Sequence, residues 1–406
     1  MINPISSFNL QNYLVLLIPI TLVSGSFFLN LNFVILIILF IYQLFLKKID
    51  IRDFNKLWIK LSLIFLIYQI FSSIYNGGRI DSLVRALSYS KFLILSLSIY
   101  LVFKRNKKYF KYFLFIFLFV NLFINIDANI QYIFKKNLFG NVINDLRLTS
   151  IFANEKIVGS FLTKTVFLIL PLFYIIIKKT LYREIAIYSF LILNFYTTLI
   201  SGERMAFLLN LLGVCIFVLV NSFKNNKKFL ISLLIFFIVI ISVFIHDSRL
   251  LNRYKEIADD RYGLTKELNI KNSVWGAHFL TAIEIYKNNV FFGIGPKNFR
   301  IESCKQEYSK IDSTRASERC TTHPHNILFE LISELGTFGF VIFLLIILSI
   351  FKNINIKNNI IFPIYLSLLL YVWPIGTGGS IFTSWNGTYM WIYIGLIFFL
   401  KKNYNK

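Results

Sequence analysis

The sequence predicts an all-α polytopic membrane protein of about 12 transmembrane helices, with one large, partly helical segment outside the bilayer between helices 9 and 10. Three observations lead there. The chain of 406 residues is 56% hydrophobic and only 16% charged. Its apolar residues come in long uninterrupted runs rather than at amphipathic spacing, and its basic residues cluster between the runs.

A span needs roughly 20 apolar residues. The runs fall near residues 10–27, 30–46, 57–75, 82–103, 110–134, 157–177, 184–200, 204–221, 229–246, 326–351, 358–372 and 386–400. The first has no basic stretch before it and no small-residue cleavage site after it, so it reads as a retained span. A net charge of +23 would point to nucleic acid in a soluble protein. Here Lys47/Lys48/Arg52/Lys56, Lys104/Arg105/Lys107/Lys108/Lys111, Lys178/Lys179/Arg183, Lys224/Lys227/Lys228, Lys352/Lys357 and Lys401/Lys402/Lys406 follow every second run. That alternation is the positive-inside pattern of a chain with both ends in the cytoplasm, and no nucleic-acid partner is expected.

The same alternation divides the chain into residues 1–246 with helices 1–9, an outer segment 247–325, and residues 326–406 with helices 10–12. The outer segment holds ten of the 20 acidic residues, and all four histidines (His246, His278, His323 and His325) lie in it or at its edge. Cys215 sits inside a run. Cys304 and Cys320 both lie outside, where an oxidising compartment would allow a disulfide between them.

Four ionisable residues within runs are singled out: Arg85, Lys91, Asp127 and Lys164. Each costs about 2.5–3.5 kcal/mol on insertion scales, which makes it a functional candidate. Together they outline a basic cavity open to the outside and suited to a phosphate-bearing ligand. The plainer alternative pairs Asp127 with one lysine and lets the others snorkel. Between the seventh and eighth runs, Ile200-Ser201-Gly202-Glu203-Arg204 makes a tight outer turn. The planar fork of Arg204 matches the oxygens of a diphosphate, unless it is simply paired with Glu203. Further on, Gly293-Ile294-Gly295-Pro296 reads as a turn that delivers Lys297 and Arg300 to one side. The third glycine and flanking elements of a dinucleotide fingerprint are missing.

Cys320-Thr321-Thr322-His323-Pro324-His325-Asn326 leads into the tenth run. Pro324 suits the first position of a helix. In a helix unbroken from there, Asn326, Glu330, Ser333, Glu334 and Thr337 form a polar stripe. His325 then lines up with Phe329, Ile332, Gly336 and Gly339, above a groove that the two glycines open to a lipid tail or a neighbouring helix. The helix dipole would keep His325 neutral and able to act as a general base. Two alternatives stand beside this: a metal site from His323, His325 and an acid, weakened because the acids face elsewhere, and a purely structural histidine pair.

From about residue 145 onward the chain resembles the O-antigen ligase and polymerase superfamily, bacterial membrane enzymes that transfer glycans from a lipid diphosphate. The ligase-type pattern of His, then Asn/Ser/Gln, nine residues and Gly-x-x-Gly fits His325-Asn326, residues 327–335, Gly336 and Gly339. Arg147 through Lys156 with Gly159, the turn ending in Arg204, the Gly293–Phe299 turn and Trp373-Pro374-Ile375 through Gly379-Ser380 are similar as well. The resemblance implies a ligase-related core over residues 190–350, an inner-membrane location and a periplasmic outer segment carrying the active site. By the same resemblance, His325 would deprotonate the acceptor hydroxyl while Arg147, Arg204 and Arg300 hold the diphosphate; His323, beside the motif, and Lys91, from the basic cavity, are further candidate substrate contacts. Neither metal nor other cofactor is implied. The donor would be an undecaprenyl-diphosphate-linked glycan, displaced with inversion, and the acceptor lipid A–core, within a setting of membrane lipid. A polymerase using a second lipid-linked glycan as acceptor and a protein O-oligosaccharyltransferase are the neighbouring readings. A transporter of lipid-linked sugars is the rival from another class.

Overall fold

A bilayer offers backbone N–H and C=O groups no water, so an apolar run satisfies them within itself as a helix. The computed structural model describes residues 4–143, 146–222, 226–255 and 273–404. Its helices are α1 (Pro4–Thr21), α2 (Ser26–Phe45), α3 (Leu57–Tyr75), α4 (Ile80–Ser88), α5 (Ser90–Arg105), α6 (Lys108–Phe134), α7 (Val158–Ile176), α8 (Thr180–Ile200), α9 (Arg204–Ser222), α10 (Asn226–His246), α11 (Ser248–Lys255), α12 (Val274–Asn288), α13 (Phe299–Glu302), α14 (Ile327–Phe351), α15 (Phe362–Tyr371) and α16 (Ser384–Tyr404). Among the described residues there is no strand, only an isolated bridge between Lys136 and Val142.

Each of the twelve apolar runs carries a helix. Among the described residues, eight spans are long and apolar enough to cross a membrane: α2, α3, α4 with α5, α6, α7, α9, α10 and α14. The other four runs form α1, α8, α15 and α16, which fall outside that set. With ten residues, α15 reaches only about 15 Å. Its residues Phe362 to Leu368 are all buried, so protein neighbours rather than bilayer thickness set its length. The outer segment is partly helical, with α11, α12 and α13 inside it; residues 256–272 of that segment lie outside the described residues.

At the centre α5 packs along α16, with α7 and α15 beside them. Small residues permit the approach: a Cβ on Gly395 would stand 2.8 Å from the Ser96 carbonyl oxygen, and Ser96 Oγ donates to the Trp391 carbonyl at 2.5 Å. On one side α14 packs against α3 and α12.

The unbroken tenth helix expected from the sequence is not what forms. Helix α14 begins at Ile327, so Pro324 and His325 precede it, and at Gly336 the backbone leaves the helix with φ 63° and ψ −168°. Only glycine adopts that conformation readily. The break is filled by the turn after α12. Ile294 N–H donates to the Ser333 carbonyl at 3.1 Å, Gly295 N–H to Glu334 at 2.8 Å, and Thr337 N–H to Val290 at 2.8 Å. From α3, Tyr68 Oη donates to the Leu335 carbonyl at 2.6 Å and Ser72 Oγ to that of Phe292 at 3.0 Å. Backbone groups freed by the break are thereby paired with protein. A Cβ on Gly336 would meet Gly293 N and the Phe291 carbonyl at 2.5 Å, and one on Gly339 would meet Leu335 and Tyr68. The groove expected beside Gly336 and Gly339 is therefore occupied by this protein's own chain.

Asp127 also departs from expectation, since it pairs with no lysine. Its carboxylate accepts from Asn137 Nδ2 at 3.1 Å, Leu138 N–H at 3.0 Å and Ser150 Oγ at 2.5 Å. It anchors the connection between α6 and α7 rather than lining a cavity. Nor do the intramembrane cations share one cavity: Arg85 and Lys91 line one pocket and Lys164 another.

Candidate active site

The start of α14 organises the site. Asn326 is its N-cap: Oδ1 accepts from Leu328 N–H at 2.8 Å and Phe329 N–H at 3.2 Å, satisfying two of the donors that open a helix. Its Nδ2 donates to the carbonyls of Pro374 at 2.7 Å and Gly376 at 3.1 Å. One amide thus starts the helix and fastens the last outer loop to it. Next to it, His325 has a left-handed backbone with φ 60°, and its carbonyl accepts from Gly378 N–H at 2.7 Å. That loop therefore holds His325 outside the helix, instead of one turn above Gly336.

Three of the four histidines converge here. The His325 ring lies 4.0 Å from that of His323, 5.3 Å from that of His278 and 4.8 Å from that of Trp275, centroid to centroid. Ser273 caps α12 through Gly276 N–H at 2.8 Å, and the i, i+3 spacing then puts Trp275 and His278 on one face. His278 Nε2 donates to the Glu318 carbonyl at 3.0 Å. The rings of His278 and His325 stack, those of His323 and His325 are tilted by 40°, and among the described residues no three His, Cys, Asp or Glu side chains are placed to hold a metal. A disulfide joins Cys304 to Cys320 and closes the segment that leads into His323.

Burial is the main force on these imidazoles, and it favours the neutral form. It lowers His325 to about 3, with His323 and His278 pushing the same way. His323 is lowered to about 4, again chiefly by burial, with His278 and Arg300 adding to the effect. His278 is lowered by burial against the pull of the Glu318 carbonyl. The sequence reading credited neutrality to the dipole of the helix; the structure credits burial.

A second cluster forms where the C-terminal end of α8 meets the N-terminal ends of α7 and α9. Glu203 accepts from Gly159 N–H at 2.6 Å, Ser160 N–H at 3.2 Å and Ser160 Oγ at 2.9 Å. It caps α7 and is not the partner of Arg204. Burial pushes its carboxyl above the usual range, opposed first by the charge of Arg147. Arg147 donates to the Lys156 carbonyl at 2.7 Å. Arg204 reaches the Arg253 carbonyl at 3.5 Å, and Arg253 Nε donates to that of Gly202 at 2.8 Å. The turn thus brings the segments carrying Arg147, Arg204 and Arg253 together, and Arg253 is an arginine that the sequence analysis did not single out.

Between the two clusters is a cavity of about 70 Å³. Ser160, Lys164 and Ala206 form one wall, next to Glu203, while Ile327 and Gly376 to Gly379 form the other, next to His325. Arg300 is exposed, and its charge acts on His323, Arg85 and the carboxylates of Glu330 and Glu334. Those two acids serve backbone: Glu330 accepts from Ile381 N–H at 3.0 Å, and Glu334 from Lys297 N–H at 2.7 Å and Phe299 N–H at 3.1 Å. Lys91 belongs to a different pocket, with Arg85 and Lys297.

Residues 189–344 match the O-antigen ligase family. That match supports the chain's membership of the O-antigen ligase and polymerase superfamily. Among curated proteins none matches it. Its apolar helices and this family match point to a multi-pass bacterial membrane protein, and the matched family is one of membrane glycosyltransferase-like enzymes with lipid-linked glycans as substrates in general. The matched segment contains Arg204, His278, Arg300, His323 and His325, whereas Arg147 lies before it.

Proposed function

We propose that the protein is an O-antigen ligase that moves a polysaccharide from undecaprenyl diphosphate to lipid A–core at the periplasmic face of the inner membrane, with both termini in the cytoplasm. The observation that carries the mechanism is a neutral, half-buried imidazole, His325, held at the outer end of α14 within the family-matched segment. Among the described residues no protein donor or acceptor bonds its ring nitrogens, which leaves them for a substrate hydroxyl. His325 would accept the acceptor's proton as its oxygen attacks the anomeric carbon. The diphosphate leaves on the opposite face, and inversion follows. Arg147, Arg204 and Arg300 would hold the leaving group's charge.

An imidazole at about 3 is a weak base before the donor binds. A diphosphate bound nearby would favour the imidazolium and raise that value once the donor is in place. The expected pH dependence follows. For kcat/KM, which reports the free enzyme, the acid limb should lie below about pH 5 rather than near the ordinary histidine value of about 6.5. For kcat it should lie higher. Initial transfer rates in proteoliposomes from pH 4 to 8 measure both, and a kcat/KM limb at about 6.5 would rule out a buried neutral base.

The reaction itself is tested by the lipopolysaccharide of a deletion strain resolved on a gel. Core without any O-antigen supports ligase. Core carrying a single repeat unit would move the assignment to polymerase, and unchanged lipopolysaccharide with an unglycosylated protein would move it to a protein O-oligosaccharyltransferase.

A further inference from the structure

A pocket of about 370 Å³ lies apart from the histidines, at the outer ends of α2, α4 and α16. Lys91, 8% exposed, stands in it over the rings of Phe33 and Phe92. Its Nζ donates to Asn30 Oδ1 at 3.1 Å and Ser384 Oγ at 2.7 Å, which leaves a third N–H. Arg85 uses one N–H on the Phe382 carbonyl at 2.7 Å and has others to offer. Lys297 Nζ is 3.6 Å from Asp81, whose side chain is 67% exposed. Three cations therefore line the pocket against one weakly engaged carboxylate. Among the described residues no carboxylate lies within ion-pair distance of Lys91 or Arg85. Buried cations of this kind are costly unless an anion answers them.

The walls say where that anion comes from. On α2, Phe27, Phe28 and Leu31 are exposed beside Ser26 and Asn30; on α4, Ile80, Val84 and Leu87 are exposed beside Asp81 and Arg85. A water-borne anion has no use for such flanks, whereas acyl chains do. We propose that this pocket binds the phosphate of a membrane lipid that enters sideways between α2 and α4 with its chains along their apolar faces. The planar donors of Arg85 and the point charges of Lys91 and Lys297 suit phosphate oxygens. This site is separate from the transfer chemistry, and binding is read without any glycan donor, so the two readings fail independently.

The test titrates purified full-length protein in detergent with dioctanoyl phosphatidic acid, dioctanoylglycerol and inorganic phosphate, following tryptophan fluorescence, since Trp385 lines the pocket. The phosphatidic acid should bind saturably and the other two should not. Lys91→Met should weaken it about tenfold or more, as expected for one lost charge-assisted hydrogen bond. Asp81→Asn, at a position whose side chain is 67% exposed, should tighten it about threefold by freeing Lys297. Dioctanoylglycerol binding as tightly would overturn the phosphate assignment. Inorganic phosphate binding as tightly would overturn the lipid. Wild-type affinity in Asp81→Asn together with wild-type affinity in Lys91→Met would overturn the pocket itself.

Discussion

His325→Ala is expected to lower glycan transfer by about two to four orders of magnitude, the usual worth of a positioned general base. Protein level and thermal midpoint should stay close to wild type. The ring is only half buried, and the bonds that hold this stretch come from the His325 carbonyl and the Asn326 side chain, which the substitution leaves in place. Transfer of a labelled lipid-linked donor in proteoliposomes, read beside a melting curve, separates chemistry from folding. Retention of more than about a third of wild-type rate would remove His325 from the mechanism. His323→Ala should be milder, because that ring contributes chiefly by shielding and orienting its neighbour at 4.0 Å.

Gly336→Ala is expected to destabilise the protein by about 2–5 kcal/mol. Roughly 1–2 come from a left-handed conformation in a residue with a Cβ, and roughly 1–3 from forcing that atom into a filled space, here 2.5 Å from Gly293 N. The sign is the informative part. Were α14 a continuous helix, alanine would be the better helix former by about 1 kcal/mol and the variant would be the more stable one. Thermal unfolding of the purified variant decides between the two geometries. Gly293→Ala should behave likewise, since its Cβ would stand 2.4 Å from the Glu334 carbonyl carbon.

What the sequence made legible follows from what is local. A long apolar run must be a helix in a bilayer, so all twelve runs could be located without knowing their neighbours. The His325-Asn326 pair was legible as a motif, although the reason for the asparagine, a cap that also grips Pro374 and Gly376, needs the loop 48 residues away. Arg147 and Arg204 could be named but not joined, because only Leu148 N–H on the Ser201 carbonyl at 3.2 Å brings their strands of chain together. The break at Gly336 was hidden for a related reason. A glycine inside an apolar run is equally compatible with a straight helix, and the partner that makes the break affordable is a turn some 40 residues earlier. His278 was visible as a histidine in the outer segment, and the i, i+3 spacing from Trp275 behind a Ser273 cap was the available sign that it presents a ring pair to something.

The plug in α14 also bears on how the protein is made. Residues 290–295 emerge from the ribosome before residues 333–338, whose carbonyls and N–H groups they complete. If the order were reversed, a fractured helix would wait in hydrocarbon with its peptide groups bare, at several kcal/mol for each one. Here the turn has already been made when α14 arrives. Biogenesis therefore has a built-in sequence of events, in which residues 290–295 act as a template on which the two halves of α14 are seated.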